Sequence, residues 1–180
     1  MKGTNSVEHS LKEIEPADFG RLFEWRNSDK IRKFMFRSEP ITWEEHIRWL
    51  ETTVRKQPHL FRIYKIGQKP LGYISFNPFD TKDKHCFWGF YIGADDAPKG
   101  SGYKMCVMGL EYAFQELEIR KISAEVLEYN ERSRRLHERL YFQIEGCFKK
   151  HVYKNGQYFD VLRYALFYDD WIQNRERFTI

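Results

Sequence analysis

The 180-residue sequence predicts an α/β fold of the mixed α+β type, a mixed sheet flanked by helices. Three observations predict it. Strand-like and helix-like segments interleave in the order β-α-α-β-β-β-α-β-α-β-β. Three strands fall consecutively mid-chain, a pattern foreign to a doubly wound parallel sheet. Asn155-Gly156 joins two long runs rich in aromatic and apolar residues near the C-terminus, a strong short hairpin signal.

Each element has its own warrant. Val7, His9 and Leu11 alternate with polar residues in a first strand. Pro16 suits the first turn of a helix carrying Phe19, Leu22, Phe23 and Trp25. "SDKIRKFMFRSEP" reads as an irregular, partly helical connection ended by Pro40. Thr42 with Glu45 forms a capping box, opening a second helix to about Arg55. "LFRIYKI", the turn "GQKP" and "LGYISFNPF" make a hairpin, and "HCFWGFYIG" a fourth strand. A long helix runs from Met105 to about Leu117, with Met105, Met108, Tyr112 and Phe114 at helical spacing. "KISAEVL" is a fifth strand, and Asn130 caps the helix "NERSRRLHERL". The hairpin about Asn155-Gly156 follows, and "DDWIQNRERF" adds a terminal helix.

Composition narrows the function. One domain over 1–180 is expected at this length. The eleven Tyr, fifteen Phe and five Trp suggest a core or cleft rich in flat side chains. The formal charge is +4, with bases and acids interspersed, so a nucleic-acid partner is not expected. Cys86, Cys106 and Cys147 are odd in number and far apart, and the six histidines have no ligand spacing, so neither a disulfide framework nor a metal is expected. "MKGTNSVEHSLKEIEP" lacks an apolar signal-peptide core and no run reaches membrane-span length, so the expected setting is cytoplasmic, with no membrane partner.

The stretch "APKGSGYK" between the fourth strand and the long helix is a candidate anion cradle. Helix-start N–H groups lack carbonyl partners. Gly100 and Gly102 admit a phosphate close to the backbone, and Lys99 and Lys104 add charge. Taken alone, the stretch fits an ordinary turn equally well; GxGxxG and GxxxxGK[ST] are both absent.

With the later stretch "NERSRRLHERLYF", the chain resembles the GCN5-related N-acetyltransferase (GNAT) superfamily. Ala97-Pro98-Lys99-Gly100-Ser101-Gly102 matches both glycines of the acyl-CoA motif but not its leading Gln/Arg. Asn130 to Phe142 matches the later motif, with His137 for its usual Tyr and Tyr141 for its usual Gly. The resemblance implies a mostly antiparallel sheet whose strands 4 and 5 splay apart, with acetyl-CoA as co-substrate in the gap. It implies pyrophosphate on the N–H groups of Lys99, Gly100, Ser101, Gly102 and Tyr103. Pantetheine would lie along Phe90, Tyr91 and Ile92, and Asn130 would touch the pantetheine or the phosphates. Arg134 or Arg139 would meet the 3′-phosphate, unless both simply line a solvated helix face. His137 stands where the family's general acid stands, as an imidazolium. Glu125, ahead of Glu128, is a candidate base. A homodimer through the C-terminal strands is also compatible.

The acceptor is read from "WRNSDKIRKFMFRSEPITWEEHIRWLE", which resembles the amino-sugar N-acetyltransferases of the pseudaminic acid pathway. Those enzymes acetylate the 4-amine of a UDP-linked 4-amino-4,6-dideoxy-N-acetyl-altrosamine. Trp25-Arg26-Asn27, Met35-Phe36 and Thr42-x-x-Glu45-His46 carry the likeness. Arg26 or His46 would pair with a phosphate, and Trp49, Phe36 or Tyr91 would stack on uracil or the sugar. Core packing is the competing use of these aromatic residues. A polyamine or ribosomal-protein N-terminal acetyltransferase and a non-catalytic acyl-CoA-binding module are the other readings. Arg26, Arg32, Lys33 and Arg37 favour an anionic acceptor over a polyamine.

Overall fold

A computed structural model describes residues 8–178. Val7, expected in the first strand, lies outside them. The elements are β1 (His9–Lys12), α1 (Phe19–Asn27), α2 (Asp29–Arg32), α3 (Trp43–Trp49), β2 (Phe61–Ile66), β3 (Lys69–Ser75), β4 (Phe79–Asp80), β5 (His85–Phe87), β6 (Gly89–Ile92), α4 (Ser101–Glu111), β7 (Lys121–Leu127), α5 (Glu131–Arg139), β8 (Gln143–Lys154), β9 (Gln157–Phe167) and α6 (Tyr168–Asn174). Both α3 and α4 continue as wider π-type turns, over Leu50–Val54 and Tyr112–Glu116.

The strands form two sheets, ordered β1-β2-β3-β6 and β4-β5-β7-β9-β8. Every pairing is antiparallel except β5 with β7. The predicted fourth strand is therefore two. Residues 85–87 pair with β7, and residues 89–92 pair with β3. Trp88 is the joint; its N–H bonds Ser123 O at 3.0 Å, the last tie before the strands diverge. Beyond it, β6 is a sheet edge, and Ala124–Leu127 of β7 have no partner on the β5 side. The expected splay thus begins at Trp88.

Three other boundaries differ from the sequence reading. α4 starts at Ser101 rather than Met105, because the glycine stretch supplies its cap. Lys69 and Pro70 belong to β3, so the first hairpin turn is shorter than expected. The strand expected over "LGYISFNPF" ends at Ser75, and Phe79 opens a separate short strand, β4. The other signals hold. Thr42 Oγ1 accepts from Glu45 N–H while Glu45 Oε2 accepts from Thr42 N–H. Asn155 and Gly156 both take positive φ, as a tight two-residue hairpin turn requires.

The core lies where α4 covers the two sheets. Ile74, Phe76, Met105, Leu110, Ile122 and Tyr164 are fully buried there. Helices α1 and α3 cover the other face of β3 and β6. There a Cβ on Gly93 would fall 2.0 Å from the Trp25 ring, so the missing side chain lets α1 dock against the end of β6. That docking sets Arg26, the next residue, over the splayed edge.

Candidate active site

The divergence of β6 from β7 opens a cavity of about 750 Å³. Its walls are the unpaired edges themselves, Gly89, Phe90, Tyr91 and Ile92 on one side and Ala124, Glu125, Val126 and Leu127 on the other. α5 contributes Asn130, Ser133, Leu136 and His137; the start of α4 contributes Gly102. The far end is lined by α1, α3 and the segment after α2.

The glycine stretch opens α4 directly. Gly100 caps α4 with φ +88°, a conformation that disfavours any side chain. Ser101 N–H and its hydroxyl both bond Pro98 O. Gly102 and Tyr103 lie in the first turn, where N–H groups have no intrahelical carbonyl, and no acid stands there. A Cβ on Gly102 would make only ordinary contact, 3.6 Å from Ile92 Cγ1. The protein's own packing therefore does not require glycine at 102, whereas a phosphate approaching the backbone would.

Asn130, which lines the cavity, caps α5 through Oδ1, which accepts from Ser133 N–H. Arg134 turns away and donates to Glu128 O at 3.1 Å. Arg139 lies 3.9 Å over the Tyr103 ring, outside the cavity lining but beside the cradle. Of Lys99, Gly100, Ser101, Gly102 and Tyr103, Gly102 alone lines the cavity.

His137 is not the expected imidazolium. Its ring is buried among Trp88, Phe90, Phe142 and Tyr164, and burial lowers its pKa to about 4. Nδ1 carries the proton, donated to Ser133 O at 2.8 Å. Nε2 accepts from the Trp88 indole N–H at 3.0 Å. This tautomer follows from the hydrogen-bond partners. Both nitrogens are committed, so His137 holds Trp88 at the joint and has no proton to deliver. The motif match identified its position, but its aromatic cage is assembled from distant segments and was invisible in the sequence.

Glu125 does face the cavity. Its Oε1 receives both Nε and Nη2 of Arg163, its partner across the β7–β9 ladder. Oε2 has no protein partner among the described residues.

At the far end, Arg26, Tyr91 and Trp49 converge. Tyr73 pairs with Tyr91 across β3 and β6, ring centres 5.2 Å apart, and Trp49 packs edge-on to Tyr73. Arg26 Nη1 is buried and has no hydrogen-bond partner among the described residues. Burial lowers the Arg26 pKa, with Arg37 and Arg32 adding repulsion. Five cations line the cavity (Arg26, Lys30, Lys33, Arg37 and Arg132) against two carboxylates, Glu45 and Glu125. Both carboxylates are already paired, to Arg37 and Arg163.

Met35 lines this end as expected. Phe36 does not; it is 41% exposed, pointing away from the cavity. His46 is buried, with Nε2–H donated to Phe19 O at 2.9 Å and its pKa lowered by burial. It tethers α3 to α1 and is poorly suited to pair with a phosphate; Arg26 holds the free charge. The sequence offered no way to choose between them, because burial follows from the helix packing.

Residues 10–143 match the acetyltransferase (GNAT) domain family. The chain is 28% identical over 144 residues to acetyltransferase PseH of Campylobacter jejuni, covering 80% of this chain and 85% of that protein. It is 27% identical over 172 residues to the putative ribosomal N-acetyltransferase YdaF of Bacillus subtilis, covering 91% and 94%. Among solved structures, spermidine N-acetyltransferase from Vibrio cholerae, in complex with CoA and spermine, shares the fold with TM-score 0.83 at 21% identity, over 93% of this chain and 99% of that one.

Proposed function

The chain belongs to the GNAT acetyltransferase family, and from that premise we propose that it acetylates the primary amine of an anionic acceptor, of the class of nucleotide-diphosphate-linked amino sugars. It is an acetyl-CoA-dependent N-acetyltransferase. The finer reading rests on Arg26, a half-buried guanidinium with an unpartnered Nη1 beside stacked aromatic rings. An unpaired buried cation is costly unless a ligand completes it. The phosphate of a nucleotide sugar would do so, and Trp49, Tyr73 and Tyr91 offer flat surfaces for a base or a deoxy-sugar. A polyamine would meet Arg26, Lys33 and Arg132, which form no ion pair among the described residues, with no spare carboxylate but Glu125 Oε2. The likeness of "WRN…FMF…EEH" to the pseudaminic acid pathway amino-sugar enzymes points the same way, making the 4-amine of a UDP-4-amino-4,6-dideoxy sugar the acceptor atom.

The residues present fit acetyl-CoA. The Gly100–Tyr103 turn would hold the pyrophosphate, the free edge of β6 the pantetheine, and Asn130 either of these. Bound there, acetyl-CoA supplies an activated thioester. An N–H on the free edge of β6 is placed to donate to the acetyl oxygen as charge builds on it. Glu125 Oε2 would take a proton from the acceptor ammonium, directly or through water, with Arg163 fixing the carboxylate. As the neutral amine forms its C–N bond the thioester C–S bond breaks, and the proton that the attacking nitrogen sheds would pass through water to the leaving CoA thiolate. His137 and Trp88 keep the joint open.

Free-thiol release from acetyl-CoA tests the reading, with a UDP-4-amino-4,6-dideoxy sugar, spermidine and a ribosomal-protein N-terminal peptide offered in parallel. The sugar should be the preferred acceptor. Preference for spermidine or the peptide would transfer the assignment to that class.

A further inference from the structure

The segment Lys33–Ser38 belongs to no helix or strand, yet Lys33, Phe34, Met35 and Arg37 form part of the cavity wall. Its own backbone supplies Phe34 N–H to Ile31 O and Met35 N–H to Arg32 O, both 3.0 Å, and the carbonyls of Lys33 and Met35 need partners from elsewhere. Lys154 meets that need. From the end of β8, distant in sequence, its Nζ donates to Arg32 O at 3.2 Å, Lys33 O at 2.7 Å and Met35 O at 2.7 Å. Three carbonyls saturate the three donors of the ammonium. Tyr129 O–H adds a fourth tie, to Lys33 O at 2.7 Å.

The placement is unusual for a lysine. Lys154 is 4% exposed, and no carboxylate forms an ion pair with it among the described residues. Arg26 lies close enough to add repulsion to the effect of burial. A hairpin needs no buried cation at the residue before its turn, and lysine is normally left in water there. The carbonyl dipoles, the Tyr129 ring 5.9 Å from Nζ and the field of Glu39 compensate the charge.

We propose that Lys154 is a positioning residue for the acceptor. Its ammonium gathers three carbonyls of the Arg32–Met35 turn, so the β8–β9 hairpin sets the shape of the acceptor wall and adds positive field beside Arg26. The proposal rests on reading that end of the cavity as the acceptor end.

The test compares wild type with Lys154→Met and Lys154→Arg by three measurements: hydrogen exchange of residues 33–38, affinity for CoA, and steady-state kinetics with the UDP-amino sugar. In Lys154→Met, exchange of 33–38 should accelerate about tenfold or more. Acceptor KM should rise about tenfold, with kcat within about twofold. CoA affinity should not change. Lys154→Arg, which keeps the charge and several donors, should recover much of the KM. Unchanged exchange in 33–38 would overturn the proposal. So would parallel losses of CoA affinity and acceptor affinity, the mark of a general folding defect. If wild type uses spermidine rather than the sugar, the acceptor reading fails on its own. The kinetic arm is then run with spermidine, and the exchange arm decides on Lys154 regardless.

Discussion

The indole N–H of Trp88 donates to Nε2 of His137 across 3.0 Å, tying the joint between β5 and β6 to α5. Phe142 stacks on Trp88 at 4.9 Å, and Tyr164 stacks on His137 at 5.2 Å. The pair sits where the two sheets part, so the width of the cavity depends on it.

This arrangement makes stability sensitive to acid. The folded pKa of His137 is about 4, below the ordinary value of 6.5. Between those values the unfolded chain binds the extra proton, so the contribution is whole above about pH 6.5 and is lost as pH falls toward 4. Its size is about 3 kcal/mol. Urea unfolding from pH 7.5 to 4.5 should show a shallower decline for His137→Gln than for wild type. The same slope in both would contradict the buried neutral ring. Because His137 has no proton to give, His137→Gln should also retain turnover to within about tenfold, less than removal of a general acid costs.

The cradle predicts a contrast at one position. Gly102→Ala should leave stability nearly unchanged, since its Cβ meets only Ile92 at an ordinary distance. Gly102→Asp should weaken CoA binding by about a hundredfold by placing a carboxylate in an anion site. Calorimetric titration of CoA into both variants checks this. Affinities equal to that of wild type in both variants would remove the phosphate from this turn.

Arg26→Gln should separate binding from stability. It removes an unpaired, half-buried charge, so thermal stability should hold or rise. Acceptor KM should increase about tenfold or more, while CoA affinity stays as in wild type. A destabilised variant with both affinities reduced would mark Arg26 as a packing residue.

Glu125→Gln should lower kcat by about a hundredfold and flatten the rise of rate with pH, with CoA affinity intact. Pre-steady-state rates across pH check this. An unaltered profile would leave deprotonation of the acceptor to solvent or to another group.

Local signals were legible in the sequence, and convergence was not. Thr42–Glu45, Asn130 and Asn155-Gly156 act within a few residues, and each formed the predicted cap or turn. The glycine stretch was readable because its geometry is local too. "HCFWGFYIG" looked like one strand because both halves are apolar; that Trp88 divides it between two sheets depends on Ser123 and His137, which lie far along the chain. The motif located position 137 but not its protonation, which four aromatic rings from separate elements decide. Phe36 and His46 were singled out by the family resemblance, and packing turned one outward and tied the other to Phe19. Lys154 carried no sequence signal, because its three carbonyl partners lie at the other end of the chain.

The most direct measurement is calorimetric titration of UDP into the CoA-loaded enzyme, beside the same titration of Arg26→Gln and a spermidine control. The account predicts UDP binding to wild type, at least tenfold weaker binding to Arg26→Gln, and none of spermidine. Spermidine binding without UDP binding would contradict an anionic acceptor.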